Sequence, residues 1–307
     1  MKPKIAISIG DLNGIGIEIA LLAHSKISKI CKPIYCINNQ MIKAACKELE
    51  VDIPKDFKTF NTKGDFNIKP GLVSKKSGKY SFDSFMDAIK LADKKEVDAI
   101  CTLPINKEAW NKANISYKGH TEVLRDYFGK NAIMMLGCKK MFVGLFTEHI
   151  PLKKVPKQIT EESLTKFLID FQKSVKSKKI GVLGLNPHAS DNGVLGDEEV
   201  QIFKAIKNAN KILDKKVFTG PLVPDIAFSP MSRANYTYFV AMYHDQGLAP
   251  LKALYFDESI NVSLNLPIIR TSVDHGTAFN IAYKNEKVNL KSYINAIKEA
   301  ISLAKNK

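Results

Sequence analysis

Three short apolar runs, each closing in a histidine, constrain this chain more than any other feature: MFVGLFTEH ends at His149, KIGVLGLNPH at His188 and YFVAMYH at His244. Apolar runs of this length, bounded by Asn, Pro and Asp, read as buried strands of a parallel sheet. In such sheets ligands gather outside the carboxyl ends of the strands. Three of only six histidines therefore stand at one structural address. They are too far apart in sequence for a local zinc motif of the HExxH type, so only a fold that sets strand ends side by side can unite them. One reading is three separately hydrogen-bonded histidines opening loops; the other is a shared metal or catalytic site. Their recurrence favours the shared site.

The rest of the chain alternates in the same way. IAISIG (Ile5 to Gly10), PIYCIN (Pro33 to Asn38), VDAICTLP (Val97 to Pro104) and NVSLNLPIIRTS (Asn261 to Ser272) read as strands. Helical runs follow at Ile15 to Ala23, Gln40 to Glu50, Ser81 to Lys94, Glu161 to Val175, Asp197 to Ala209 and Leu290 to Leu303. Thr160 is placed to cap the fourth of these, with Glu161 and Glu162 in its first turn, where the helix dipole favours carboxylates. Residues 51 to 79 are weaker in pattern and read as short edge strands and loops. Strands alternating with helices predict an α/β fold with a mostly parallel sheet.

Composition narrows the function classes. At 307 residues and 45% hydrophobic content, the chain can bury one large or two modest cores. No apolar stretch reaches the roughly 18 residues a membrane span requires, and MKPKIAISIG runs straight into a strand, so a cytoplasmic protein without membrane contact is expected. Five cysteines with no CxxC pair read as reduced and structural. The formal charge of +15 raises the question of nucleic acid. Yet only Arg125, Arg233 and Arg270 are arginine, and the lysines are spread without a basic block. Base-edge readout relies on the arginine fork, so a nucleic-acid partner is not expected; the positive field instead favours a small anionic substrate.

Several loops carry candidate chemistry. GDLNGIGIE (Gly10 to Glu18) lies between a strand and a helix, where it serves either as a tight turn or as an anion-binding loop; it is neither a Rossmann GxGxxG nor a Walker A sequence. TLPINKEAW places Asn106 and Lys107 at the mouth of a helix. GHTE offers His120 and Thr121, with Thr121 either a helix cap or part of an anion site. GLNPHASDNGVLGDEE and YHDQGLAPLK surround His188 and His244 with loop residues and supply Lys252. Asp225, in GPLVPD, is a candidate base or an outer carboxylate that orients a ligand histidine. Arg270 stands inside an apolar strand, where its desolvation requires an anion or a paired acid. DHGTA then sets His275 and Gly276 in a turn, a second potential dinucleotide contact.

Taken in order, GDLNGIGIE, TLPINKEA, GHTE, GLNPHA, YHDQGL and LPIIRTSVDHGTA closely resemble the 4-hydroxythreonine-4-phosphate dehydrogenase family of pyridoxal phosphate biosynthesis, over nearly the full length. The resemblance extends to the wider isocitrate and isopropylmalate dehydrogenase group. It implies two α/β/α lobes with the active site in the cleft between them. One lobe would comprise residues 1–115 plus 255–307, and the other residues 116–254 with the metal histidines. By resemblance, His149, His188 and His244 are ligands of a divalent ion (zinc, magnesium or cobalt), and His120, Thr121, Lys252, Asn261 and Arg270 contact the substrate. Gly10, Asp11, Gly14, Gly16, Asp274, His275, Gly276, Thr277 and Asn280 fall in the segments that would meet NAD or NADP. The family's enzyme is a homodimer with one metal histidine crossing the interface. Three departures stand out: Leu12 and Ile17 replace prolines of the family's opening motif, GLNPHASDNG lacks the commoner acidic-glycine pairing after its histidine, and Asn280 replaces a frequent acidic residue, which leaves the choice between NAD and NADP open.

The reaction implied is oxidation of 4-phosphooxy-L-threonine to 2-amino-3-oxo-4-phosphooxybutanoate, which decarboxylates to 3-amino-2-oxopropyl phosphate. Lys252, Arg270 and the His120–Thr121 helix start would clamp phosphate and carboxylate, while Lys252 and Asp225 are candidates for the catalytic proton donor. Two alternatives use the same residues: a dehydrogenase of another phosphorylated sugar acid, such as 4-phospho-threonate, and a metal-dependent phosphohydrolase.

Overall fold

The structure is a computed structural model and describes residues 2–305. In chain order the elements are β1 (Lys4–Ser8), α1 (Gly16–Ile27), β2 (Lys32–Cys36), α2 (Asn39–Glu48), β3 (Thr59–Phe60), α3 (Lys75–Asp93), β4 (Ala99–Thr102), α4 (Lys107–Lys112), α5 (His120–Phe128), β5 (Ile133–Cys138) and β6 (Met141–Leu145). They continue with α6 (Val155–Gln158), α7 (Glu161–Val175), β7 (Ile180–Leu183), α8 (Glu198–Ile212), β8 (Phe218–Leu222), α9 (Pro230–Asn235), β9 (Tyr238–Ala241), α10 (His244–Tyr255), β10 (Ile260–Leu264), β11 (Arg270–Val273) and α11 (Lys291–Lys305). Helix α7 has the bounds its sequence pattern predicts, and Thr160 caps it by accepting the Ser163 N–H. Helix α3 starts earlier than the apolar period indicates, because Ser74 caps it by accepting the Ser77 N–H.

Two compact units form. The first is the chain up to Lys130 and again from Ile260; the second is Asn131–Ser259. The division falls after α5 instead of at 115/116 because Val123 and Leu124 of α5 pack into the same core as Phe85 and Trp110. At the other end it falls at 259/260 instead of 254/255.

In the first unit the strand order is β3-β2-β1-β4-β11-β10, parallel except for β10, which runs antiparallel to β11. The final stretch Asn261 to Ser272, expected as one strand, is therefore a hairpin. Asn265 adopts a left-handed φ of 59°, and Pro267 cannot donate to a ladder, so the segment bends between β10 and β11. In the second unit the order is β5-β6-β9-β7-β8, with β5 antiparallel to β6 and the others parallel. Both units are thus α/β with a mixed, mostly parallel sheet. All five cysteines are buried and free, and burial pushes the Cys31 and Cys101 thiols up to about 12, which keeps them unreactive. Among the described residues no helix is long and apolar enough to cross a membrane.

Candidate active site

The histidines follow from the second unit's strand order. β9 lies between β6 and β7, parallel to both, so the carboxyl ends of these strands are neighbours. His149 comes just beyond β6, His188 in a 3-10 turn (Pro187–Asp191) beyond β7, and His244 opens α10 beyond β9. The peptide groups at Met242 lace these ends together. Its carbonyl accepts from the Thr147 hydroxyl at 2.7 Å, and its N–H donates to Gln246 Oε1 at 2.7 Å. Gln246 Nε2 in turn donates to the Gly184 carbonyl at 2.7 Å, beyond β7.

Only two of the three imidazoles meet. The His149 and His244 ring centroids are 5.3 Å apart with planes at 43°. Among the described residues no group of three His, Cys, Asp or Glu side chains is placed to hold an ion, so His188 does not join the pair within one chain. It lies in a run of left-handed residues, His188 to Asn192, with φ between 45° and 74°. The loop leading to it is braced by buried Glu199, whose Oε1 accepts the N–H groups of Leu185 and Asn186 at 2.8 and 2.7 Å. Glu198 also accepts from the Asn186 side chain at 2.7 Å, so Glu198 and Glu199 are structural braces. His244 is oriented by Asp245, whose Oδ1 lies 2.6 Å from Nδ1. A carboxylate can only accept there, so Nδ1 carries the proton and Nε2 keeps the lone pair a metal would need. Asp225, the carboxylate expected for such work, is exposed beyond β8. Among the described residues it has no hydrogen bond to a histidine. Lys252 is partly buried two turns along α10, a helical rise of about 12 Å from His244, with Nζ 5.3 Å from the Phe256 ring centroid.

The first unit holds the second cluster. Arg270 is 2% exposed on β11. Its Nε and Nη2 both donate to Thr102 Oγ1, at 3.2 and 2.8 Å, and its Nη1 donates to Asn261 Oδ1 at 3.3 Å and Ser263 Oγ at 3.2 Å. Every one of these acceptors is neutral, and no ion pair found among the described residues includes Arg270. Desolvation lowers its pKa to about 10, so the guanidinium stays charged at neutral pH. His120, at the start of α5, has a ring Nε2 that is enclosed and unpartnered although the residue as a whole is partly exposed. Burial, then the charges of Arg270 and Lys107, hold it well below the usual imidazole range, so it stays neutral. Its ring stands edge-on to Phe85 and lies 5.8 Å from Trp110. Thr121 is not the cap: Gly119 occupies that position without a side-chain bond, leaving the helix start and its N–H groups open to an anion. Asn106, in contrast, spends its side-chain oxygen capping α4 at Ala109 N–H.

Sequence reasoning named Arg270 and Asn261 but missed Thr102 and Ser263. A signal was present for Ser263, since polar and apolar residues alternate in N-V-S (Asn261 to Ser263) and so place Asn261 and Ser263 on one face of the sheet.

The nicotinamide candidates divide into two groups. Residues Gly10, Asp11, Gly14 and Gly16 are all buried. A Cβ at Gly10, whose φ is +71°, would meet the Pro104 carbonyl at 2.3 Å, and one at Gly14 would meet the Thr277 carbonyl at 2.7 Å. The Ile15 N–H at the start of α1 already donates to Thr277 O at 3.0 Å. This loop therefore packs against protein as a tight turn, and the glycines serve close approach. The Asp274–Asn280 loop is the accessible member. His275 Nδ1 donates to the Gly276 carbonyl at 3.0 Å, which leaves Nε2 an enclosed acceptor without a partner. Gly276 has open space around it, and the exposed Asn280 accepts Lys284 Nζ at its carbonyl, 2.7 Å away.

Known proteins resemble this chain in sequence and fold. The profile of the family described as pyridoxal phosphate biosynthetic protein PdxA matches residues 29–300. The 4-hydroxythreonine-4-phosphate dehydrogenase of Sulfurimonas denitrificans is 61% identical over 302 residues, covering 98% of each chain. That of Campylobacter fetus is 60% identical over 302 residues, again covering 98% of each. The crystal structure of the Klebsiella pneumoniae 4-hydroxythreonine-4-phosphate dehydrogenase superposes with a TM-score of 0.85 at 30% identity, covering 99% of this chain and 100% of that one. The chain belongs to the PdxA family of 4-hydroxythreonine-4-phosphate dehydrogenases, enzymes of pyridoxal phosphate biosynthesis.

Proposed function

We propose that this enzyme oxidises 4-phosphooxy-L-threonine with NAD or NADP at a divalent ion, in a homodimer whose sites are shared between subunits. The observation that carries the substrate reading is Arg270: a buried guanidinium whose partners are all neutral oxygens calls for an anion from outside the chain. His120 stays neutral beside it and can donate from Nε2 without adding charge. The open start of α5 adds N–H groups for phosphate or carboxylate oxygens. Asn261 is held in place by its bond to Arg270.

The donor set of the second unit fits half of a metal site. His149 and His244 lie side by side, and Asp245 fixes the tautomer of His244. The large apolar side chains Ile150, Leu152, Val194 and Leu195, next to His149 and His188, are 39%, 63%, 77% and 43% exposed, as expected of a face covered by a second copy supplying the remaining ligand. When bound, a zinc, magnesium or cobalt ion supplies Lewis acidity to the substrate hydroxyl, and the nicotinamide accepts the hydride. The chain's own part is to hold the phosphate and carboxylate, keep His120 and Arg270 in fixed protonation states, and supply a proton from Lys252 or Asp225 after CO2 leaves.

Incubation with 4-phosphooxy-L-threonine, nicotinamide and divalent ion is expected to raise the absorbance of the reduced nicotinamide. Release of inorganic phosphate without that absorbance would establish a phosphohydrolase instead, and a faster rate with 4-phospho-threonate would move the assignment to that substrate.

A further inference from the structure

Arg270 is flanked on both sides by strands of its own sheet. β11 pairs with β4 so that Ser272 stands opposite Thr102, and with β10 so that Arg270 stands opposite Ser263. Alternation along these strands puts Thr102, Arg270, Ser263 and Asn261 on one face. A guanidinium has five N–H donors in a rigid fork. Thr102 Oγ1 accepts from Nε and from one N–H of Nη2, while Ser263 and Asn261 occupy Nη1. The second N–H of Nη2 is left outside this cradle. Thr102 is 0% exposed, and its own carbonyl is tied by the Ser272 hydroxyl at 3.1 Å, so it cannot follow the guanidinium if that group turns.

We infer that Thr102 is the positioning residue of the anion clamp: by taking the Nε/Nη2 edge it sets the guanidinium plane and leaves a single Nη2 N–H for an end-on contact with one ligand oxygen. The inference rests on reading Arg270 as the partner of the substrate anion. It differs from the usual two-pronged arginine–carboxylate contact, because the prong-bearing edge is already occupied from within the chain. Thr102→Val removes the acceptor at nearly constant shape, freeing that edge and releasing the guanidinium plane.

The test uses the full enzyme with 4-phosphooxy-L-threonine, following both turnover and the fluorescence of Trp110, the single tryptophan, 5.8 Å from His120. Thr102→Val is expected to raise KM and the fluorescence-derived Kd together by roughly tenfold or more, with a smaller change in kcat, as for a lost hydrogen bond to a charged group. Thr102→Ser, which keeps the hydroxyl, should stay within about threefold of the parent. Ser263→Ala, which cuts one bond on the other side of the fork, should lie between them. An unchanged Kd in Thr102→Val, or equal losses in the valine and serine variants, overturns the inference. Should the valine variant fail to fold, Thr102→Ala carries the same expectation and the same overturning outcome. If the parent enzyme does not reduce nicotinamide with this substrate, the substrate reading itself fails. An active parent with a Thr102-insensitive Kd removes only Thr102.

Discussion

The Arg270 cradle and the histidine rim, the two clusters on which the proposed function rests, are built in opposite ways. Around Arg270 the chain supplies three neutral acceptors from two neighbouring strands, and the ring of nearby His120 is itself walled by Phe85 and Trp110. On the rim, His149 and His188 are exposed, and five successive non-glycine residues from His188 to Asn192 hold left-handed backbone. That conformation costs roughly 1–2 kcal/mol for each L-residue. A fold can orient a buried charge with its own hydrogen bonds, and burial then makes that orientation rigid. On the proposed reading, groups that receive an ion or a second chain stay open, and their geometry is completed on assembly.

The largest effect is expected on the rim. His149→Ala and His244→Ala should each lose the ion and reduce turnover by about a thousandfold or more, the scale of a lost metal-assisted step, with little change in melting temperature because these side chains are not core. Metal content by atomic absorption alongside a thermal scan checks this; full metal content in both variants would remove the pair as ligands.

Next comes the cradle. Arg270→Lys keeps the charge but cannot satisfy Thr102, Ser263 and Asn261 together. It should lower kcat/KM by about 30-fold to 1000-fold, or about 2–4 kcal/mol. Because Thr102 and Ser263 are buried, the melting temperature should fall as well, unlike for the histidine variants. A normal kcat/KM with a large thermal loss would assign Arg270 to the scaffold alone.

A third measurement extends the contrast to an enclosed carboxyl. Burial pushes Asp11 up to about 6 from its ordinary 3.8, against the lowering effect of the Asn13 N–H and the Ser77 hydroxyl. The folded state holds this proton more tightly than the unfolded chain, so its contribution to stability is intact below about 3.8 and is lost as pH rises to about 6. Asp11→Asn should therefore stabilise at pH 8 relative to pH 4 by about 1–3 kcal/mol, after allowance for weakened hydrogen bonds. Denaturant melts at the two pH values decide it, and a pH-independent difference would show that Asp11 does not titrate in this range.

The smallest effect belongs to the strained loop. Ala189, at φ 51° and ψ 51°, gains from glycine, and Ala189→Gly should stabilise by about 0.5–1 kcal/mol. If ion binding relieves the strain, the same change weakens ion affinity; if the strain persists in the bound state, affinity is unchanged. Calorimetric titration with zinc separates these outcomes, and destabilisation by Ala189→Gly would contradict the strain itself.

Much of this was legible in the chain because it rests on short-range chemistry. Period and flanking residues marked α7 and its Thr160 cap, the parallel strands and the three histidine addresses. A lone arginine in an apolar strand called for an anion or a paired acid before any neighbour was known. What the chain concealed depends on which strands become neighbours. The Asn261–Ser272 stretch reads as one strand, and only the bend at Asn265 brings Ser263 opposite Arg270 while β4, more than 160 residues away in sequence, delivers Thr102. The glycine loop reads equally as a tight turn or as an anion-binding loop, and only the fold packs Thr277 against it. Likewise three equivalent histidines look like one site; the tertiary structure brings the His149 and His244 rings together, and among the described residues no group of three ligating side chains forms. Residue type and local period determined which groups would carry the chemistry. Sheet register and the satisfaction of buried donors, both non-local, decided which of them meet.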